Sequence, residues 1–212
     1  MRPRGDALFM TMAGFSKEIE ALLKPKKEPA LVTVPEMSYM MVDGKGDPNT
    51  AAEYAQAIEA LYGLAYTMKF AIKKSRGEEF KVGPLEGLWW AEDMENFAAG
   101  RKDEWLWTAM IMLPDLVTRA DFDSAASELK RKKDPPALSN VRLERWEEGL
   151  SAQLPYVGPY KDEGPAIARL HRFIGEQGCR LRGKHHEIYM GDPRRAAPEK
   201  LKTIIRQPVE KA

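Results

Sequence analysis

Residues 184–193 read KHHEIYMGDP, and the part EIYMGD at 187–192 has an altered echo in LWWAED at 88–93. The two superimpose when Asp93 is set on Asp192. A second echo follows each one. WTAMIMLP at 107–114 matches LKTIIRQP at 201–208 when Pro114 is set on Pro208. Ahead of the first copy, LVTVPEMSYMMVDGKGDP at 31–48 alternates as a strand and closes in a Gly/Asp/Pro turn. Tyr54, Ile58, Leu61, Ala65, Met68 and Ile72 then fall on one helical stripe that runs to about Lys74. Thr50 and Glu53 have the spacing of a capping box at its start. PLEGLWWAED and EWLWTAMIMLP read as two strands.

After a charged and Pro-rich connector, LKRKKDPPALSN at 129–140, the order repeats. VRLERWEEGLSAQLPYVGPYKDE is extended and ends in a turn. Gly164-Pro165 opens a helix, since proline at the first helical position lacks only an N–H that has no helical partner. Ile167, Leu170, His171 and Ile174 share its face, and Gly178 closes it. KHHEIYMGDP and LKTIIRQPV finish as strands. The expected fold is therefore α+β: duplicated strand-helix-strand-strand units forming an antiparallel sheet, two helices on one side and a central cleft on the pseudo-twofold axis. Residues 1–29 read as an N-terminal adaptor with a short helix stopped at Pro25. The domain spans 30–212, repeat one about 30–130 and repeat two about 140–209.

The chain has 212 residues, enough for a sizeable core, and 33 Lys+Arg against 32 Asp+Glu. That balance gives no reason to expect nucleic acid or an anionic membrane as partner. The basic run Lys130–Lys133 reads as a solvated helix end and linker. With the single cysteine Cys179 no disulfide can form within the chain, which fits a reducing cytoplasm. No apolar run has the length of a membrane span, and MRPRGDALFMTMAGF lacks the apolar core of a signal peptide.

Period-two alternation sorts the side chains. Glu187 and Tyr189 share one face of their strand, Ile188 and Met190 the other. Through the repeat, Leu88 corresponds to Glu187 and Trp90 to Tyr189, so these four are expected on one pseudo-symmetric face. Tyr62 and Tyr66, four apart on the first helix, are neighbours beside its apolar stripe, and Trp105 and Trp107 add a wall. An acid among aromatic rings suits flat apolar or cationic molecules. Desolvation is expected to raise its pKa, fitting it as a counter-charge or as a base near neutral pH. Set against this, a lone strand Glu is often solvent-facing, and Trp89, Trp90, Tyr62 and Tyr66 also fit plain packing. His185 and His186 are adjacent, point to opposite faces and cannot chelate one ion together; no HExxH or Cys pair supports a metal. Cys179 reads as a small buried hydrophobe. No P-loop, GxGxxG after a strand or GxSxG occurs, and no cofactor is expected.

VPEMSYMMVDGKGDP, PLEGLWWAED, the LPYVGPY turn and HEIYMGDP, in this order and spacing, resemble the GyrI-like small-molecule-binding domains, from about residue 30 to 209. The resemblance implies that Glu187 lies at the floor of the cleft, where the acid of drug-sensing relatives contacts cationic aromatic ligands. About 30 residues ahead of the domain are too few for their helix-turn-helix reader, which argues against direct DNA binding. The Trp-rich first half and the WxW strand look like the stand-alone branch that hydrolyses cyclopropanoid genotoxins of the duocarmycin and yatakemycin type. In the expected chemistry Glu187 orients or deprotonates water, and a tyrosine hydroxyl, Tyr66 chosen by helix geometry with Tyr62 and Tyr189 as alternatives, hydrogen-bonds the water or the oxygen that gains charge. Trp90, Trp107, Tyr189 and Tyr62 would stack on the ligand, with Leu88 and Trp105 beside them. The alternative is a non-catalytic binder that sequesters hydrophobic cations or acts on a protein partner such as gyrase.

Overall fold

The computed structural model describes residues 12–92 and 101–212; Asp93, used above to align the repeats, and residues 1–11 lie outside them. Six strands close into a ring. β2 (Ala30–Lys45) pairs with β5 (Leu106–Leu113), β5 with β4 (Leu85–Trp90), β4 with β8 (His185–Tyr189), β8 with β9 (Lys202–Lys211), β9 with β6 (Arg142–Val157), and β6 returns to β2, all antiparallel. The two copies are legible in this ring, because β2-β5-β4 faces β6-β9-β8 and the equivalent strands β4 and β8 adjoin. The duplicated α+β sheet is thus present, and it curls into a barrel. Each of the six strands pairs through both of its edges, and the two longest, β2 and β6, have 16 residues each and pair along most of their length. β7 (Cys179–Leu181) extends β9, and two short strands, β1 (Met12–Ala13) and β3 (Glu79–Phe80), pair in parallel outside the ring.

Both helices of the repeat lie outside the barrel. α2 (Ala52–Arg76) presents Ala57, Leu61, Leu64, Ala65, Met68 and Ile72 to Met40, Val42, Trp107, Ala109 and Ile111 of β2 and β5. α4 (Gly164–Glu176) sets Leu170 and Ile174 on Ala152, Leu154 and Ile205. Each buried Leu, Ile, Val or Met among these contributes roughly 1.5–3 kcal/mol. α2 stops at Gly77, whose φ of 70° is the left-handed conformation glycine adopts without strain. Its start departs from the expected capping box: Ala51 is the N-cap and Thr50 makes no cap. The capping box belongs instead to Thr118 and Asp121, at the head of α3 (Arg119–Lys132), a helix the repeat does not contain. α3 packs Phe122, Ala125 and Leu129 against the α2 cluster and takes in the first residues of the expected connector.

The opposite side of the sheet is the barrel interior, lined by Met37, Tyr39, Met41, Leu88, Met110 and Met112. α1 (Lys17–Leu22) closes one end with Leu22, whose carbonyl accepts a 3.2 Å hydrogen bond from Gln153 Nε2. Among the described residues no helix is long and apolar enough to cross a membrane.

Candidate functional site

Strand β8 divides its side chains between two environments. His186 points into the barrel. There its Nδ1 lies 3.0 Å from Glu148 Oε1 and its Nε2 3.0 Å from Glu86 Oε2. Arg206 donates to Glu148 at 3.1 Å and to Gln153 through Nε and Nη2. All five side chains are buried. Burial alone would discharge the imidazole, but Glu148 and then Glu86 outweigh it and raise the His186 pKa to about 9. At neutral pH His186 therefore carries both ring protons. Burial likewise works against ionising Glu148, yet the charges and hydrogen bonds of His186 and Arg206 hold its pKa below the usual range.

His185, Glu187 and Tyr189 face outward, beneath the helices. Glu187 pairs with Gly87 across the β4–β8 ladder and Tyr189 with Leu85. A hydrogen-bonded web converges on Glu187. Tyr189 OH donates to Glu187 Oε2 at 2.8 Å, and His185 Nε2 lies 3.1 Å from Oε1. Trp89 Nε1 donates to Tyr189 OH at 3.1 Å. Glu163, at the N-cap of α4, accepts from Thr203 Oγ1 at 2.7 Å, and Thr203 stands across the β8–β9 ladder from Tyr189. The Glu187 side chain is still 16% exposed, whereas Glu163 is only 2% exposed.

The electrostatics reverse one expectation. Burial pushes the Glu187 pKa up, but the hydrogen bond and charge of His185, then the hydrogen bonds from Tyr189 and Glu163, bring it below the usual value. Glu163 is the acid that is raised, to about 8, by burial and then by the charge of Glu187. Burial and the same charge push Tyr189 well up; burial, Glu163 and Glu187 take Tyr160 to about 12.

Aromatic rings surround the web. Trp89 meets Tyr54 and Trp105 at centroid distances of 5.7 and 5.9 Å, and Tyr54 meets Trp107 at 4.9 Å. Tyr160 lies edge-on to Tyr189 at 5.3 Å. Tyr62, half-buried on α2, reaches the Leu85 backbone and stacks on Tyr66, which stacks in turn on Phe70.

Of the expected residues, Glu187, Tyr189, Tyr62, Trp105 and Trp107 lie on this outer side, Trp107 buried in the core under α2. Leu88 and Trp90 do not: they belong to the barrel-side cluster with Tyr39 and Met110. The repeat alignment is one residue out on β4, and a slip of one inverts every side chain of a strand. Trp89, not Trp90, enters the web. Trp90 instead carries the Lys184 ammonium 3.3 Å above its ring. Tyr66 is 47% exposed, and the tyrosine bonded to Glu187 is Tyr189. Glu163 and Thr203 escaped the sequence reading, as did Tyr54, which was read only as part of a packing stripe. The one signal for Glu163 was its place immediately ahead of Gly164-Pro165. Among the described residues no group of three or more His, Cys, Asp or Glu is arranged to hold a metal ion.

The sequence profile described as the GyrI-like small molecule binding domain matches residues 27–210. Comparison with curated proteins gave no match. Among solved structures, an uncharacterized conserved protein from Listeria innocua is 41% identical, with a TM-score of 0.83 over 93% of this chain and 99% of that one. A protein described as a hydrolase, also from Listeria innocua, is 40% identical, with a TM-score of 0.80 over 93% and 99%. The C-terminal domain of EcmrR shares the fold at 13% identity, with a TM-score of 0.54 over 87% and 98%.

Proposed function

The chain belongs to the GyrI-like small-molecule-binding domain family, and from that premise we propose that the web around Glu187 binds flat aromatic molecules and adds water to a strained electrophile. The substrate we propose is the cyclopropane ring of a duocarmycin- or yatakemycin-type genotoxin. One observation carries the reading: a carboxylate held by two hydrogen-bond partners, His185 and Tyr189, that favour its ionised form, 16% exposed, among aromatic rings. A relative 40% identical and described as a hydrolase supports it.

In the proposed step, Glu187 removes a proton from water as the water oxygen bonds to a cyclopropane carbon. The ring C–C bond breaks and its electron pair moves through the conjugated system onto the carbonyl oxygen, which becomes a phenolate on the same molecule. The proton held by Glu187 then passes to that oxygen. Tyr189 and His185 orient the base. Tyr62 and Tyr66, on the exposed side of α2, stack on the flat body, and Tyr66 is the proposed donor to the oxygen that gains charge. Trp105 and Trp107 support the wall from behind.

The second reading is a non-catalytic binder of hydrophobic cations, favoured by the same ionised acid among rings. Incubation of a cyclopropane-containing indole with wild type and Glu187→Gln separates them. Many turnovers by wild type, with a large loss in the variant, support the hydrolase. A single equivalent of product or none, with tryptophan quenching by cations but not by neutral flat ligands, supports the binder.

A further inference from the structure

We infer that Glu163 holds the proton that keeps Glu187 ionised and oriented, so that the two carboxyls work as one singly protonated pair. Thr203, which bonds Glu163, stands directly across the β8–β9 ladder from Tyr189, which bonds Glu187, so the two carboxyls share one water-poor pocket, where one negative charge is favoured over two and a single proton is retained. Its resting place follows from the other partners. Glu187 has Tyr189 and His185 on its two oxygens, 2.8 and 3.1 Å away, and keeps contact with solvent. Glu163 is shut off from water and has the single hydroxyl of Thr203. The negative charge is better solvated on Glu187 and the proton better placed on Glu163. Glu163 is thus the neutral donor and Glu187 the anion.

The other groups around the pair come from every adjoining element. β8 brings His185 and Tyr189, and the turn before α4 brings Tyr160 and Asp162. The end of β6 adds Tyr156, α2 adds Tyr54, which feels the charge of Glu187, and α4 adds His171, which feels His185. Among these described groups none sets a fixed cation of Lys or Arg against Glu163. The pair therefore keeps its proton through neutrality and loses it near pH 8, where Glu163 titrates. Glu163 acts through Glu187 rather than on a substrate, which makes it a positioning residue. The link to rate rests on the hydrolase reading; the proton itself does not.

Infrared spectra recorded against pH, without substrate, test the proton directly. Wild type is expected to show the carbonyl band of a buried un-ionised carboxyl at neutral pH, fading as pH rises through about 8. Glu163→Gln, which can still accept from Thr203 and donate to Glu187, should lack it. Glu187→Gln should retain it but lose it at lower pH, because the neighbouring charge is gone. No band in wild type, a band that survives in Glu163→Gln, or an unchanged titration in Glu187→Gln would each overturn the inference. If turnover is found, its fall above about pH 8 should disappear in Glu163→Gln. Absence of turnover with the band present would sink the hydrolase reading and leave the shared proton standing.

Discussion

Gly87 stands directly across the β4–β8 ladder from Glu187, and the indole of Trp89 lies folded over it. A Cβ added at Gly87 would be 2.6 Å from Trp89 Nε1 and 2.9 Å from Cε2. The missing side chain is what allows the indole N–H to reach Tyr189, which in turn reaches Glu187. Gly87→Ala is therefore expected to displace the ring, break the Trp89–Tyr189 hydrogen bond and destabilise the protein by roughly 1–3 kcal/mol, the usual range for overpacking. Urea unfolding gives the energy, and a changed tryptophan emission spectrum reports the ring. A variant with wild-type stability and emission would show that the contact relaxes freely.

The Gly87–Glu187 pairing also shows where the sequence was readable. Glu187 and Tyr189 share a face by alternation alone, and the repeat brings β4 beside β8. The residue-level match on β4 failed because its anchor, Asp93, lies past the end of the strand, where spacing need not be conserved between copies. Closure of the barrel was hidden for a different reason. β5 is buried on both sides along nearly its whole length, so LWTAMIML shows no alternation from which an interior could be told from a helix-covered exterior. Glu163 was hidden because a turn has no period: only its three-dimensional approach to Thr203, across the ladder from Tyr189, brings it beside Glu187. Closing one end of the barrel with α1 is likewise a long-range contact, made through Leu22 and Gln153, that no local pattern announces.

His186, one residue from Glu187 but inside the barrel, offers a test of the interior. Replacing it with Asn leaves Glu86 and Glu148 buried without their shared cation, and loss of one partner of such a group costs about 3–5 kcal/mol. The pH dependence has a defined sign. The folded pKa of about 9 lies above the reference of 6.5, so this stabilisation is complete below 6.5 and is lost as pH rises through about 9. Urea midpoints of wild type and His186→Asn should therefore converge toward alkaline pH. Midpoints separated by a constant amount from pH 6 to 10 would refute the assignment of charge.

Glu163 makes its own contribution to stability, in a different window. Its folded pKa of about 8 is above the reference of 4.5, so wild type should lose stability as pH rises between these values. Glu187 has the opposite sign: its lowered pKa gives stability above the reference value that is lost on acidification. Glu163→Gln removes the first effect and keeps the second. It should be more stable than wild type at pH 8 relative to pH 5, by melting temperature in matched buffers. An identical pH profile for the two proteins would count against a proton on Glu163.

Tyr189 and Tyr66 make different demands of the proposed reaction. Tyr189 donates to Glu187 and accepts from Trp89, so Tyr189→Phe removes a partner of the anion and strands a buried indole N–H. Glu187 should then bind its proton more tightly, and the acid limb of kcat/KM should move to higher pH. At neutral pH a drop of about ten- to a hundredfold is expected, equal to roughly 1.4–2.7 kcal/mol of lost transition-state stabilisation. Tyr66 is 47% exposed and stacked between Tyr62 and Phe70, so Tyr66→Phe keeps the ring contact and loses only the hydroxyl. If that hydroxyl meets the oxygen that gains charge, kcat falls without any movement of the acid limb. Equal pH profiles with reduced kcat in Tyr66→Phe, beside a shifted profile in Tyr189→Phe, would assign the two tyrosines to substrate and base respectively. A wild-type kcat in Tyr66→Phe would remove Tyr66 from the mechanism and leave it as a stacking surface.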